Sequence, residues 1–367
     1  MKQAAVLISF LLLSAVAGAA ADAPQRTLVL DPGEGNPRNS EGDFIQLNDG
    51  RLLFIYTHFT GSASDHGAAF LASRVSTDAG ASWSAEDAVV LPNEGGMNVM
   101  SVSLLRLRTG AIALFYLRKN STSDCRPMMR LSNDEAATWS EPVLCIEPVG
   151  YFVVNNDRVI QLESGRLVIP AARHSLPGES FSGRGQAMCY LSDDDGATWF
   201  PSESILDAPE DSKSGLQEPA VVALNDGRLM MLCRTDQGCQ MRSFSGDGGI
   251  TWSPPELTDI ASPVSPATIE RIPSTGDLLM LWNDHRAIEP ALAGKRTPFA
   301  AAISRDEGQT WENVRLLESD PDGWYCYTAL EFVDDAALLG HCVGDSTVGH
   351  LNRTQVLRVP IAWFYEN

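Results

Sequence analysis

The chain has 367 residues, with 27 lysines and arginines against 47 aspartates and glutamates, which gives a formal net charge of −20 at pH 7. Nucleic acids and anionic membrane surfaces are bound through basic patches, so this charge balance argues against both as partners. An anionic ligand would require arginines that are gathered at one place.

The N-terminal segment has the pattern of a secretory signal peptide. A positively charged start precedes an apolar run from Ala4 to Ala20, which ends in small residues. The run is short for a membrane span, and no later apolar stretch is comparable in length. We therefore predict that residues 1–23 are a cleaved signal peptide, that the chain has no membrane span, and that the protein is secreted, extracellular or periplasmic.

An eight-residue motif, Ser-x-Asp-x-x-x-Ser/Thr-Trp, occurs five times along the chain. Its aspartates are separated by 56, 60, 53 and 59 residues, and they are Asp78, Asp134, Asp194, Asp247 and Asp306. An aspartate can accept hydrogen bonds from backbone N–H groups of a tight turn, and a tryptophan can pack on the hairpin. The motif therefore predicts a structural turn in each of several repeated units.

A second pattern, a glycine turn between short apolar runs, lies between successive motifs. It recurs at Gly50, Gly110, Gly165, Gly227 and Gly276. Each repeat then reads as four antiparallel strands, A to D, with the glycine turn between A and B and the aspartate motif between C and D. Four such strands are typical of a β-propeller blade.

The last unit, Trp324 to Val359, keeps strands A, B and C but lacks an aspartate motif and an obvious fourth strand. The segment Gln25 to Leu30 could supply that strand and cover the last open sheet edge. We therefore predict an all-β fold with one domain, residues 24–367. The domain is expected to be a six-bladed β-propeller with four-stranded antiparallel blades, closed by the N-terminal strand.

Seven cysteines in an exported protein permit disulfides but leave at least one thiol unpaired. The predicted hairpins would bring together Cys125 and Cys145, Cys233 and Cys239, and Cys326 and Cys342, and would leave Cys189 free. No spacing of cysteine and histidine resembles a zinc site. We therefore expect neither a metal nor a cofactor.

The strand directions assign the two faces of the predicted disc. The starts of strands A and C and the ends of B and D lie opposite the glycine turns and the aspartate motifs. The unusual polar residues of the chain are concentrated there, and among them are Arg38, Glu41, Asp43, Asp65, Asn98, Arg118, Lys119, Asn155, Asp157, Arg173, His174, Glu218, Arg234, Arg296 and Tyr327. We expect the functional site on that face.

Several of these residues resemble motifs of the sialidase (neuraminidase) superfamily, whose six-bladed propellers carry such aspartate motifs and act on nonulosonic acids. In the fourth unit, Glu218 opens strand A and Arg234 closes strand B, as in that family. Arg296 stands eight residues before its aspartate motif, similar to a family arginine that binds the substrate carboxylate. Tyr327-Thr-Ala-Leu330 resembles the nucleophile segment, and Asp65 is similar in position to the acid/base aspartate.

The first unit departs from that family pattern. The family's Arg-Ile-Pro opening is absent, and the matching position is Ser40, with Glu41 next and Arg38 two residues earlier. Arg38 could replace the missing arginine, or Arg173 or Arg118 could reach in from another unit.

A second departure concerns the late glutamate that supports the missing arginine in the family. The segment Ala337 to Cys342 occupies its place. The one Arg-Ile-Pro of the chain, Arg271 to Pro273, runs into a glycine turn on the opposite face and is interpreted as a coincidence. Because the departures occur together, they indicate a remodelled subsite and a divergent subfamily.

The resemblance implies hydrolysis at a ketosidic carbon that bears a carboxylate. A phenol can approach that carbon without the charge repulsion that a carboxylate nucleophile would meet, and a tyrosine nucleophile is the sialidase exception among glycosidases. Tyr327 would be the nucleophile, with Glu218 as its base, because free tyrosine is mostly protonated at neutral pH. Asp65 would protonate the leaving oxygen, and Arg234 and Arg296 would bind the carboxylate.

Each assignment has a structural alternative. Tyr327 could be a packing residue, with Tyr325 as a rival nucleophile, and Glu218 could be a solvated residue at a strand start. The arginines could pair with surface acids, and Asp65 could cap a turn. Further substrate contacts are expected from Arg38, Arg173, His174, Glu41 and Asp43.

The leading functional hypothesis is a secreted exo-acting glycoside hydrolase of sialidase type that releases a terminal sialic or related nonulosonic acid. Its partners would be sialylated or other acidic glycans. A non-catalytic glycan-binding propeller is the first alternative. The second alternative keeps the fold but acts on another acidic sugar, such as a uronic acid, as a hydrolase or as a lyase.

Overall fold

A computed structural model describes residues 22–366 of the chain. The predicted signal peptide, residues 1–23, lies almost entirely outside this range, so it stays a prediction. The described residues form 25 β-strands and two short 3-10 helices, Pro290–Leu292 and Ile361–Tyr365, and contain no α-helix. Within residues 22–366 no helix has the length and apolar character needed to cross a membrane.

The strands are numbered along the chain and follow the predicted units. Strand β1 is Gln25–Leu30, and unit one contains β2 to β5, which are Arg38–Gln46, Leu52–Phe59, Ala69–Ser76 and Ala88–Leu91. Unit two contains β6 to β9, which are Asn98–Arg106, Ile112–Ser121, Asp124–Ser132 and Val143–Leu144. Unit three contains β10 to β14, which are Tyr151–Val153, Ile160–Gln161, Leu167–Ser175, Gln186–Ser192 and Phe200–Pro201.

The remaining units continue the same pattern. Unit four contains β15 to β18, which are Gln217–Ala223, Leu229–Arg234, Cys239–Ser245 and Glu256–Ala261. Unit five contains β19 to β22, which are Thr268–Arg271, Leu278–Asn283, Phe299–Ser304 and Glu312–Glu318. Unit six contains β23 to β25, which are Trp324–Val333, Ala336–Gly344 and Thr354–Pro360.

Four of the five sheets are four-stranded, as the repeats predict. Units one, four and five each form one sheet with its strands in chain order, and unit six forms a sheet in the order β1-β25-β24-β23. Units two and three share one nine-stranded sheet, because Tyr151 pairs in parallel with Cys125. The strands within each unit are antiparallel, which suits the short connections between them.

The N-terminal strand completes the sheet of unit six. Strand β1 pairs antiparallel with β25, so that Gln25 lies opposite Arg358 and Leu30 lies opposite Thr354. This is the pairing expected from the missing fourth strand of the last unit. It covers the edge of β25, which would otherwise be open to another chain.

The five aspartate motifs form turns that satisfy their own backbone. In each copy the aspartate accepts a hydrogen bond of 2.8–2.9 Å from the backbone N–H four residues later. The motif serine donates its hydroxyl to the same carboxylate at 2.8–2.9 Å. These carboxylates therefore hold turns, in agreement with the structural role predicted for them.

The hydrophobic core is divided into six clusters, and each cluster joins residues of two units or, in one case, of three. Five of them join consecutive units. The sixth joins the first unit to the last, through Phe44 and Phe54 on one side and Leu338 and Val356 on the other. A depression of about 730 Å³ is lined by residues of all six units, mainly from their first strands and, in unit three, from β11 and the residues before it. The apolar faces of the strands thus pack the six units against each other, and within the described residues no layer of helices lies between the sheets.

All seven cysteines are free thiols in the structure, and six of them are buried. The disulfide pairings considered from the sequence are therefore not found. Strand register explains two of them, since Cys125 lies opposite Lys119, Cys233 lies opposite Met241, and Cys239 lies opposite Ala261. Cys326 and Cys342 do lie opposite each other in the β23–β24 pair, without a covalent bond.

Candidate active site

The first strands of several units share a local distortion. Strands β2, β6, β15 and β23 each contain a register shift, and in each shift one non-glycine residue has a positive φ. These residues are Glu41 (51°), Ser101 (58°), Glu218 (43°) and Tyr327 (58°). The left-handed region costs an L-residue about 1–3 kcal/mol, and a bulge re-aims the side chain that it carries.

These four side chains line a single cavity of about 100 Å³. The cavity receives residues from units one, two, three, four and six, and its remaining lining is Asp65, Met100, Leu117, Lys119, Cys125, Tyr151, Val153 and Asn155. Pockets for small molecules usually measure about 300–1,000 Å³. The cavity therefore accommodates only one part of a sugar-sized ligand.

Tyr327 and Glu218 form the centre of the site. The phenol of Tyr327 donates a long hydrogen bond of 3.4 Å to Glu218 Oε1, and Arg234 Nη1 donates to Glu218 Oε2 at 2.7 Å. Burial favours the neutral carboxyl, but Arg234 and Arg296 outweigh it and lower the pKa of Glu218. Glu218 is therefore an ionised acceptor that faces a phenol.

The Tyr327 phenol is held in its protonated form. Burial raises the pKa of Tyr327, and the negative charge of Glu218 raises it further, against the opposing effect of Arg296 and Arg234. The phenol cannot act as a nucleophile until its proton leaves, and Glu218 is the carboxylate within reach of that proton.

Arg296 carries unpaired donors at the site. Its side chain is 6% exposed, and its guanidinium carbon lies 5.1 Å from the centre of the Tyr327 ring. Its Nε and Nη1 atoms have no hydrogen-bond partner, and the same is true of Arg234 Nε. A buried donor without a partner costs about 1–3 kcal/mol. Donors of this kind suit a carboxylate, which can accept two parallel bonds from a guanidinium.

Arg38 reaches the same site from unit one. Its side chain is 1% exposed, and its two Nη atoms donate to Glu41 Oε1 at 3.0 Å and to Asp65 Oδ1 at 2.5 Å. Its guanidinium also lies 4.7 Å from the centre of the Phe59 ring. Of the arginines considered as replacements for the missing Arg-Ile-Pro arginine, Arg38 is thus the one whose partners line the cavity.

The two carboxylates bound to Arg38 differ in protonation. Burial raises the pKa of Glu41 to about 7, against the opposing charge of Arg38. Asp65 is 57% exposed, and Arg38 and Lys119 lower its pKa despite the opposing effect of burial. The backbone oxygen of Asp65 accepts hydrogen bonds from Lys119 Nζ at 2.8 Å and from Asn98 Nδ2 at 2.9 Å. The loop backbone is therefore anchored while the carboxylate remains accessible.

Comparison with known proteins places the chain in a family. The model of the BNR repeat-like domain matches residues 54–339. The chain is also 24% identical over 343 residues to a sialidase from Micromonospora viridifaciens, an alignment that covers 83% of this chain and 50% of the relative. The chain belongs to the BNR repeat-like family of the sialidase superfamily. It spans half the length of that relative.

Solved structures show the same fold. A protein of unknown function from Dyadobacter fermentans superposes with a TM-score of 0.72 and 16% identity, over 92% of this chain and 99% of that one. A Hadza microbial sialidase gives a TM-score of 0.70 and 19% identity, over 89% and 66% of the two chains. Trypanosoma rangeli sialidase gives 0.68 and 17%, over 89% and 55%. At these identities the likeness concerns the fold alone.

Three predicted contacts of this BNR protein, Arg173, His174 and Asp43, lie away from the cavity. Arg173 donates to Gln186 and, with His174, lines a separate depression of about 340 Å³. Asp43 accepts hydrogen bonds from the backbone N–H groups of Phe44 at 2.7 Å and Leu104 at 2.6 Å, and it lines the depression shared by all six units.

Other residues of the cavity were not predicted to be site residues. Lys119 is 2% exposed, and its ammonium lies 5.3 Å from the centre of the Tyr151 ring. Lys119 lies near the end of the second strand of unit two, as Arg234 does in unit four, and this position places it on the face where the site is expected without assigning it a role. Tyr151 and Ser101 sit in runs that resemble ordinary strands, so the sequence offers no signal for them.

Proposed function

We propose that this protein is a secreted glycoside hydrolase of sialidase type, built as a six-bladed propeller that the N-terminal strand closes. Six core clusters, including one between the first and last units, support a closed ring. The depression lined by residues of all six units fits the axis of such a ring. A common axis also accounts for one small cavity that receives side chains from five units.

The proposed substrate is a glycan that ends in a sialic acid or another nonulosonic acid. The observation that carries this proposal is the Tyr327 phenol, which donates to a glutamate held by an arginine. Unpaired donors on Arg234 and Arg296 lie beside it and fit a carboxylate on the reacting carbon. Such a carboxylate is the reason for a neutral nucleophile.

The reaction would proceed in two displacements. In the first, Tyr327 Oη attacks the anomeric carbon while its proton moves to Glu218, and the bond to the leaving oxygen breaks as Asp65 supplies that oxygen with a proton. In the second, water attacks the same carbon and gives a proton to Asp65. The bond to Tyr327 breaks, and the phenol recovers its proton from Glu218.

The contact between Arg38 and Asp65 sets the order of events. While Arg38 binds the Asp65 carboxylate, the pKa of Asp65 stays low and its carboxyl cannot serve as an acid. Binding of the substrate carboxylate by Arg38 would release Asp65 and remove the main cause that lowers its pKa. The fixed loop backbone means that this change needs only a side-chain rotation.

The decisive experiment is Tyr327→Phe, which deletes the phenolic oxygen and keeps the ring. We expect kcat on a fluorogenic sialoside to fall by about 100- to 10,000-fold, with KM changed by less than about threefold. Tyr325→Phe is the matched control, because that neighbouring ring is buried and packs against Phe299 outside the cavity. Unchanged turnover of the Tyr327→Phe protein would exclude it as the nucleophile.

Product analysis separates the alternatives. A sialidase releases the free acid, whereas a lyase leaves an unsaturated sugar that absorbs in the ultraviolet. A protein that binds the sialoside and releases neither product would be a glycan-binding module.

A further inference from the structure

An exposed phenylalanine stands beside the candidate site. Phe181 belongs to the loop that joins β12 to β13 in unit three, and its side chain is 52% exposed. Strand β12 corresponds to the strands of units two and four that end near Lys119 and at Arg234, so its loop lies on the face that carries the cavity. A single exposed apolar side chain is common on protein surfaces. The rings that support Phe181 distinguish it from such a residue.

Phe181 packs on two other rings. It stacks on His174, with the ring centres 5.3 Å apart and an angle of 10° between the ring planes. It also meets Tyr151 edge to face, with the centres 5.0 Å apart and an angle of 81°. Both are preferred arrangements of aromatic pairs. His174 and Tyr151 are each 8% exposed, so Phe181 is the outermost of the three rings and the face opposite His174 is open.

The loop is anchored directly after Phe181. The backbone N–H of Ser182 donates to the backbone oxygen of His174 at 3.0 Å, and the backbone oxygen of Ser182 lies 2.8 Å from His174 Nδ1. Gln217 of unit four donates its Nε2 to the backbone oxygen of Gly183 at 2.7 Å. The ring is therefore a fixed platform, and a ligand that binds to it does not have to order the loop first.

Tyr151 connects this platform to the cavity. Its ring lines the cavity and lies 5.3 Å from Lys119 Nζ, which donates to the backbone oxygen of Asp65 at 2.8 Å. Asp65 is the proposed acid, so the leaving oxygen and the sugars attached to it lie on that side of the cavity. A cavity of about 100 Å³ does not hold those sugars. Their path over Lys119 and Tyr151 leads to Phe181.

The depression of about 340 Å³ described above adjoins the platform, because both sequence neighbours of Phe181, Ser180 and Ser182, line it. The charges of its arginines and carboxylates balance, since its lining includes Arg173, Arg184, Glu179 and Asp207. Arg184 is paired with Asp207 at 2.7 Å. Mixed donors and acceptors without a net charge suit the hydroxyl groups of a neutral sugar better than a second anion.

We propose that Phe181 and this depression form the subsite for the neutral oligosaccharide that carries the nonulosonic acid. A pyranose ring would lie on the open face of Phe181, because that face is electron-rich and the C–H groups of a sugar are weakly positive. Its hydroxyl groups would meet Arg173 and Glu179, and His174 would support the platform from behind. The inference rests on the proposed function and names the part of the substrate that lies outside the cavity.

The first test measures sugar binding without turnover. Saturation-transfer NMR with lactose, a neutral disaccharide, should detect binding to the unmodified protein, and Phe181→Ala should lower the signal about fivefold. Phe200→Ala is the matched control, because Phe200 is also exposed, at 37%, but lies on β14 at the edge of the sheet. It should leave the signal unchanged. A signal that survives Phe181→Ala, or no binding to the unmodified protein, would overturn the proposal.

The second test compares two substrates that differ only in the group attached to the sialic acid. We expect kcat/KM to be about tenfold higher with lactose in that position than with a methyl group, and Phe181→Ala should remove most of this preference. Phe181→Trp keeps a ring and should retain the preference. An equal loss on both substrates would show that Phe181 only supports the cavity wall through Tyr151, and it would contradict the proposal.

Two further outcomes keep this proposal separate from the proposed function. A higher kcat/KM with a second anionic sugar in place of lactose would show that Arg173 selects an anion, and the neutral class would be wrong. If no sialoside is turned over, the proposed function fails, and the NMR test with lactose still decides whether Phe181 binds a sugar.

Discussion

Glu218 and a second set of largely buried carboxylates differ in their counter-ions. Glu218 is bonded to Arg234 at 2.7 Å and lies near Arg296, and its pKa is lowered. The second group, called the acidic group here, lines the depression shared by all six units and consists of Asp43, Asp157, Glu270 and Glu331. Burial raises the pKa of all four, and that of Glu331 reaches about 7.

The difference arises from where the nearest arginine places its donors. In the acidic group, Arg158 bonds to the neutral oxygens of Thr268 and Ala267, at 3.2 Å and 3.0 Å, and its Nε has no partner. The charge of Asp157 further raises the pKa of Asp43 and of Glu270. Burial thus favours protonated carboxyls, and at Glu218 the combined charges of Arg234 and Arg296 outweigh it and give an ionised base of the kind that the proposed reaction needs. One direct arginine contact is not sufficient by itself, because Glu41 is bonded to Arg38 and still has a raised pKa.

The largest expected effect comes from removing the arginine that is bonded to Glu218. Glu218 would then lack a direct arginine partner, as the carboxylates of the acidic group do. Arg234→Met removes the direct partner of Glu218, so the pKa of Glu218 should rise and one ligand of the substrate carboxylate is lost. We expect kcat/KM to fall by about 100- to 1,000-fold, the cost of leaving a buried charge unpaired. We also expect the acidic limb of the pH profile to move upward.

Arg228→Met provides the control for that experiment. Arg228 pairs with Asp226 on the surface, at 2.8 Å, just before the strand that carries Arg234. Its replacement should leave kcat/KM within about twofold. Equal losses in the two variants would show that the direct contact between Arg234 and Glu218 is not what matters.

A smaller effect is expected from removing one member of the acidic group. The pKa of Glu331 is raised to about 7 in the folded protein, so between about pH 4.5 and 7 the folded state holds a proton that the unfolded state has released. The free energy of unfolding therefore decreases as the pH rises through that window. Glu331→Gln should stabilise the protein by on the order of 2 kcal/mol at pH 8 and by little at pH 4.

Urea unfolding at the two pH values measures this change. Glu141→Gln, at an exposed position, is the control and should leave the pH dependence of stability unchanged. If Glu331→Gln destabilises the protein equally at both pH values, its carboxyl has a hydrogen-bonding role and carries no pH-dependent cost.

The smallest effect is expected from replacing Lys119, the lysine that lines the cavity. Lys119→Met keeps the length of the side chain but loses the hydrogen bond to the backbone of Asp65. We expect kcat to fall about fivefold, since the loop that carries the proposed acid would be less well ordered. The exposed Lys213→Met is the control. An increase in KM without a change in kcat would assign Lys119 to substrate binding.

Much of the fold could be predicted because its signals are local. The aspartate motifs fix the C–D turns, and the absence of one from the last unit correctly points to Gln25–Leu30 as its fourth strand. The joining of units two and three could not be foreseen, because it depends on a single parallel pair between Tyr151 and Cys125. Two cysteine pairings failed for a related reason, since strand register leaves no mark in the spacing of cysteines.

The site was predictable only where a residue stands at a recognisable strand end. Glu218 and Arg234 come from such positions, and the structure brings them together with Tyr327. The acidic group was not recognised, because burial of Glu270 and Glu331 depends on how the units pack against each other. Asp43 was interpreted as a substrate contact for the same reason.

The bulged positions carry a consequence for the redesign of this protein. Glycine and asparagine tolerate a positive φ, so either residue would reduce the backbone strain at the four bulged positions, Glu41, Ser101, Glu218 and Tyr327. A search for the most stable sequence on this backbone would therefore replace these four residues early. Stability and the proposed function make opposite demands at these positions, so substitutions that improve thermal tolerance here would remove the side chains that line the cavity.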